Sequence, residues 1–159
     1  MSTPSSARSI NFDRLWKIVP QDFPLGTHSI HGPSHWRRVE SFGLRIAAAI
    51  SEVDTGVVRL FALFHDSRRQ NEHSDPGHGA RGAALAFDLY ASEYPQLEAA
   101  AFEKLITACC WHTHRTHIDD PTIGACFDAD RLDLVRIGVI PDARFLNTAV
   151  AKTMILELA

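Results

Sequence analysis

The run LFALFHDSRRQNEHSDPGHGARGA, residues 60 to 83, ends an apolar stretch in an adjacent His65–Asp66 pair, followed by Arg68, Arg69 and then His78. Imidazole and carboxylate groups hold divalent cations and move protons, and guanidinium forks match phosphate oxygens. The same residue types recur as His35 in HGPSHWRRV, His112 in CCWHTH and Asp130 in DADRLD. They can act together only if the intervening chain turns them toward one place.

The elements that would do so are helical. From Ser34 onward apolar residues recur at helical spacing, which predicts helices over 34–51, 55–66, 78 to about 92, 96–112, 121 to about 137 and 142–158. A short helix is expected over 10–18, ahead of the breaker-rich PQDFPLGTHSIHGPS. Asp54 is placed to cap the helix at 55, and Pro121 suits a first helical turn. Strand-like alternation is missing, so the expected class is an all-α bundle of about five to seven helices. Residues 1–9 read as a disordered tail and 10–159 as one domain.

Residues three, four and seven apart share a helix face. His35 then lines up with Val39, Phe42 and Ile46, and His65 with Val58, Phe61 and Ala62. His78 shares a face with Gly82, Leu85 and Leu89; His112 with Ala101, Leu105 and Ala108; Asp130 with Ile123, Cys126, Phe127 and Leu134. Each ionisable group therefore lies on an apolar stripe. One buried histidine can be satisfied by a nearby carbonyl. A whole set turned into one core must satisfy one another or bind something, because an unpaired buried charge costs several kcal/mol. A divalent cation resolves the conflict. Several His with two Asp suit Mn, Fe, Co, Ni or Zn better than Ca or Mg, and Asp66 has two oxygens with which to bridge two ions.

Composition narrows the setting. The 159 residues carry a formal charge of −3 with no long basic run, which suggests neither a nucleic-acid polymer nor a membrane surface as partner. Cys109, Cys110 and Cys126 are an odd set without CxxC spacing and fit a reducing compartment. MSTPSSARS lacks the apolar core of a signal peptide, so a cytoplasmic location is expected.

The order His35, His65–Asp66, Asp130, with the contexts HWRRV, ALFHD and DADRLD, resembles the H…HD…D signature of the HD superfamily of metal-dependent phosphohydrolases. The resemblance spans about residues 31 to 135. It implies an all-α fold with ligands on helices around a central cleft. It also implies one ion on His35, His65, Asp66 and Asp130, and, in binuclear members, a second on Asp66, His78 and His112. His114 is a rival to His112, and Asp130 is preferred to Asp128 because it directly precedes Arg131–Leu132.

The expected chemistry is cleavage of a phosphomonoester or phosphodiester, of a nucleotide in the leading reading, by metal-activated water. Arg68 and Arg69 would clamp the phosphate and Asp66 or Asp128 take the water's proton. Arg131 and Asp133 are candidates to orient Asp130, while His31 and His117 are expected in loops without a metal role. Trp36 and Trp111 are expected in the core. Two other functions share the donor set: an HD-type di-iron oxygenase and a non-catalytic ligand-binding protein. Residues 142–158 would complete the bundle or form a homodimer contact.

Overall fold

The computed structural model describes residues 9–158. They form seven α-helices, with no strand among the described residues: α1 Phe12–Ile18, α2 Pro33–Ala49, α3 Thr55–Phe64, α4 His78–Glu93, α5 Ala99–Trp111, α6 Pro121–Leu132 and α7 Ala149–Met154. The architecture is the expected all-α bundle. The tail expected over 1–9 lies, apart from the exposed Ser9, outside the described residues.

Helix α3 is the axis of the bundle. Val57, Val58 and every residue from Leu60 to Phe64 are fully buried, because α2, α4, α5 and α6 all pack against it. Each such Val, Leu or Phe side chain contributes about 1.5–3 kcal/mol by leaving water. The Asp54 carboxylate accepts from the Val57 amide at 3.1 Å, and Asp120 does the same for Ile123 ahead of Pro121, so both helix starts fall where the cap residues stand.

Several boundaries differ from expectation, and three of them bear on the site. Helix α3 stops at Phe64, two residues early, because the Ser67 amide and hydroxyl both donate to the Phe64 carbonyl and turn the chain there. The His65–Asp66 pair thus sits in a turn at the buried end of the central helix. Helix α6 ends at Leu132 and tightens into a 3-10 turn over Asp133–Ile137. The single helix expected over 142–158 breaks into a 3-10 turn at Ala143–Phe145, α7, and another at Ile155–Glu157. There the buried Asp128 carboxylate accepts from the amides of Asn147 and Thr148, at 2.7 Å each, and holds those residues out of a helix.

Helix α4 approaches its neighbours through glycines. A Cβ on Gly79 would collide with the Cys109 carbonyl oxygen, and one on Gly82 with that of Phe64. Close backbone contact brings the start of α4 against the ends of α3 and α5, where three histidines converge. The three cysteines are free, and no helix among the described residues is long and apolar enough to cross a membrane.

Candidate metal centre

His35 stands in the first turn of α2, His65 just past α3, His78 at the first position of α4, and His112 at the C-cap of α5. All four are at most 3% exposed. Each ring is oriented through Nδ1. His35 Nδ1–H donates to the Asp133 carboxylate at 2.7 Å. Those of His65, His78 and His112 face backbone carbonyls of Phe61 and Ala62, Asp75, and Cys109, at 3.0 and 3.1, 2.5 and 2.7 Å respectively. A carbonyl oxygen only accepts, so the ring proton sits on Nδ1 and the lone pair of the neutral imidazole is on Nε2.

All four Nε2 atoms point inward. Those of His35 and His65 are 3.1 Å apart, and those of His78 and His112 are 3.0 Å apart. Asp66 lies between the pairs. Its Oδ2 is 3.4 Å from His35 Nε2 and 3.7 Å from His65 Nε2, while its Oδ1 is 3.1 Å from His78 Nε2 and 3.7 Å from His112 Nε2. Asp130 joins the first pair, with Oδ1 3.2 Å from His35 and 3.5 Å from His65.

Two facing lone pairs would repel, so each couple needs a proton or a metal ion between its nitrogens. Two nitrogens bound to one ion at about 2.0–2.1 Å, with bond angles between octahedral and tetrahedral, stand roughly 2.8–3.4 Å apart. Both observed separations fall in that range. His35, His65 and Asp66 form one group that could hold a metal ion, and Asp66, His78 and His112 a second.

The local electrostatics agree. Burial pushes the Asp66 carboxyl up, but without a metal the charge of His65 and hydrogen bonds from His112, His31 and His35, in their doubly protonated forms, outweigh it and hold it well below the usual carboxylate value. Asp130 is likewise held well below it, burial being overcome by hydrogen bonds from His35 and His65. Burial lowers the His35 imidazole, yet hydrogen bonds to Asp130, Asp133 and Asp66 carry it up to about 10. Two ionised carboxylates in a buried cage of imidazoles make a site for positive charge.

The other expected residues divide between the centre and the rest of the molecule. Arg68 turns away: its guanidinium donates to the Asp22 carbonyl at 2.8 Å and borders a separate surface hollow with Pro24 and Gln70. The chain turns at Ser67, so consecutive arginines diverge. Arg69 is 8% exposed and lines the metal centre; Nε and Nη2 donate to the Asn71 and His73 carbonyls, leaving Nη1 beside His78. His114 is exposed and donates to the Pro76 carbonyl, because the helical path that aims His112 inward ends one residue earlier. Asp128 is fully buried against Asn147 and Thr148 and takes no part in the centre. Trp36 is in the core, whereas Trp111 is 47% exposed.

The structure adds residues that helix stripes did not reveal. His31 reaches the centre, its Nε2–H donating to the Glu72 carbonyl and its Nδ1 3.3 Å from Asp66 Oδ2. It precedes Pro33 in a turn, so helical spacing from His35 says nothing about its direction. Asp133 orients His35 rather than Asp130, and Arg38 Nε donates to it at 2.8 Å. Its spacing of three from Asp130 was the available signal. Arg136 donates to the Ile30 and Asp133 carbonyls and leaves Nη2 facing the cavity, 3.5 Å from His31. Arg131 donates to the carbonyls of Thr116, Phe145, Arg115 and His112 and so tethers backbone.

In comparisons with known proteins, no family model, no curated protein and no solved structure matches this chain.

Proposed function

We propose that the chain is a metal-dependent phosphohydrolase whose centre holds two divalent transition-metal ions sharing Asp66. The observation that carries the reading is the pair of facing Nε2 couples, 3.1 and 3.0 Å wide, each beside a different oxygen of Asp66. His35, His65, Asp66 and Asp130 would hold one ion, and Asp66, His78 and His112 the other. The order of these residues, which resembles the HD signature, supports the same reading.

Divalent ions in such a site supply Lewis acidity, lowering the pKa of water and polarising phosphoryl oxygens. The chain's own groups do the rest. Arg69 and Arg136 are each fixed by two backbone carbonyls and each leave one guanidinium nitrogen at the cavity, forming two preset arms for phosphoryl oxygens. Both Asp66 oxygens are committed to the imidazole couples. Asp130, with a side chain 19% exposed, is the more open carboxylate and accepts the proton of the attacking water. The water oxygen bonds to phosphorus and the ester P–O bond breaks. Its electron pair goes to the leaving oxygen, which takes up a proton from solvent, and Asp130 gives its proton back to solvent. Arg69 and Arg136 favour an anionic substrate.

The test is phosphate release from a panel of mono- and diesters by metal-free chain reloaded with Mn, Co, Fe, Ni or Zn. Release that depends on added metal and disappears in Asp66→Ala is expected. Oxygen uptake with iron and no phosphate release would contradict the proposal.

A further inference from the structure

Beside the metal centre's own cavity of about 160 Å³ lies an outer chamber of about 400 Å³. His112, Thr113, Asp130, Arg131 and Leu134 line both, so the two adjoin. The inner cavity has room for a phosphoryl group and little more. The outer one falls in the range of about 300–1,000 Å³ usual for small-molecule sites.

The outer walls are chemically distinct from the centre. Leu134, Pro141, Phe145 and Leu146 supply an apolar side, and residues 113–116 line the chamber beside them. Both sides are fastened to α6. Arg131 Nη1 donates to the Thr116 and Phe145 carbonyls at 2.6 and 2.7 Å, and Nη2 to that of Arg115 at 2.6 Å. Asp128 pins Asn147 and Thr148 just beyond. Residues 128 and 131, flanking ligand Asp130, thus fix the chamber to the metal centre. Phe145 is 52% exposed although its backbone is held by a partly buried guanidinium. The Arg144 guanidinium stands 5.9 Å from the ring centroid, and the remaining exposed surface of this ring, on a fixed backbone, is a platform for another ring.

Resting on the hydrolase reading above, we infer that the outer chamber takes the organic group of the ester, and that this group carries a planar ring seated on Phe145. With the phosphoryl group between Arg69 and Arg136, the ester oxygen points across Asp130 into the chamber, and cleavage leaves the ring-bearing alcohol there. Thr113, Thr116 and the exposed Arg115 give polar contacts to the edge of such a group. A three-carbon polyol phosphate would leave the apolar wall uncovered.

The inference is tested with 1-naphthyl phosphate, adenosine 5′-monophosphate and glycerol 3-phosphate as substrates, and by calorimetric binding of 1-naphthol and adenosine. Wild type, Phe145→Ala and Phe145→Tyr are compared. At least one ring ester is expected to exceed glycerol 3-phosphate in kcat/KM by about tenfold or more, the scale of one stacking contact. Phe145→Ala should remove most of that advantage and weaken the matching alcohol, while Phe145→Tyr keeps both. The better of the two ring esters separates a nucleobase from a plain aryl group. Should no ester be cleaved while a ring compound still binds in a Phe145-dependent manner, the hydrolase reading fails and the chamber's assignment stands. Equal use of glycerol 3-phosphate, an equal fall on all three esters in Phe145→Ala, or no Phe145-dependent binding of either ring compound would overturn it.

Discussion

His35 and Asp133 meet through a 2.7 Å hydrogen bond from imidazole Nδ1 to carboxylate Oδ2, linking the start of α2 to the turn that follows α6 across the bundle. The bond fixes the tautomer of a ring whose other nitrogen faces Asp66, Asp130 and His65. Arg38 holds the carboxylate from outside. A carboxylate behind a ligating histidine raises its basicity and sets its plane. Asp133→Asn should therefore lower metal affinity about 10- to 100-fold while leaving the helical content unchanged. Metal titration followed by calorimetry, with circular dichroism as the control, measures both. Unaltered affinity would remove Asp133 from the centre.

Proton release follows from the same ring. In metal-free chain, burial opposes charge on His35, yet Asp130, Asp133 and Asp66 raise its pKa from 6.5 to about 10, so at pH 7 it carries an extra proton on Nε2. A metal ion must displace it, so binding should release about one proton or more, and affinity should rise with pH between about 7 and 10. The sign for folding is opposite. A raised folded pKa stabilises fully below 6.5, and that contribution is lost as pH climbs through about 10. Metal-free chain should lose stability over that window while loaded chain does not. Calorimetry in buffers of different ionisation heats counts the protons; a count of zero contradicts the assignment.

Packing at the glycines makes a third expectation. Ala normally stabilises a helix interior over Gly by about 0.5–1 kcal/mol. At Gly82 and Gly79 the sign should reverse, because the added methyl meets the backbone carbonyls of Phe64 and Cys109, which cannot swing aside. Overpacking of about 1–3 kcal/mol is expected, together with weaker metal binding because Cys109 orients His112. Thermal unfolding of Gly82→Ala and Gly79→Ala decides it, and a raised Tm in either would show that α4 has room to move.

The arginines separate by direction. Arg69→Ala and Arg136→Ala should each weaken kcat/KM for a phosphate ester by roughly 10- to 100-fold, the scale of one charge-assisted hydrogen bond, with metal content intact. Arg68→Ala should do neither, since that side chain faces Asp22. Steady-state kinetics with elemental analysis on the three variants makes the comparison. A large loss in Arg68→Ala alone would reverse the assignment.

Much of the centre was legible in the sequence because helical spacing is a reliable pointer to direction. His35, Asp130 and, at the C-cap of α5, His112 lie on apolar stripes that do face the core. The reasoning failed where the chain is not α-helical. His31 lies in a turn before Pro33, Arg68 and Arg69 leave a turn in opposite directions, and Asp133 and Arg136 ride on a 3-10 segment. The long C-terminal helix failed for a tertiary reason, since nothing local announces that Asp128 will capture the amides of Asn147 and Thr148.

The central claim is that Asp66 joins two ions held by separate histidine couples, and metal stoichiometry tests it most directly. Elemental analysis after reconstitution and gel filtration should give about two ions per chain for wild type, fewer by one for His112→Ala, and close to none for Asp66→Ala. Wild type without bound metal, or Asp66→Ala retaining the full complement, would contradict it.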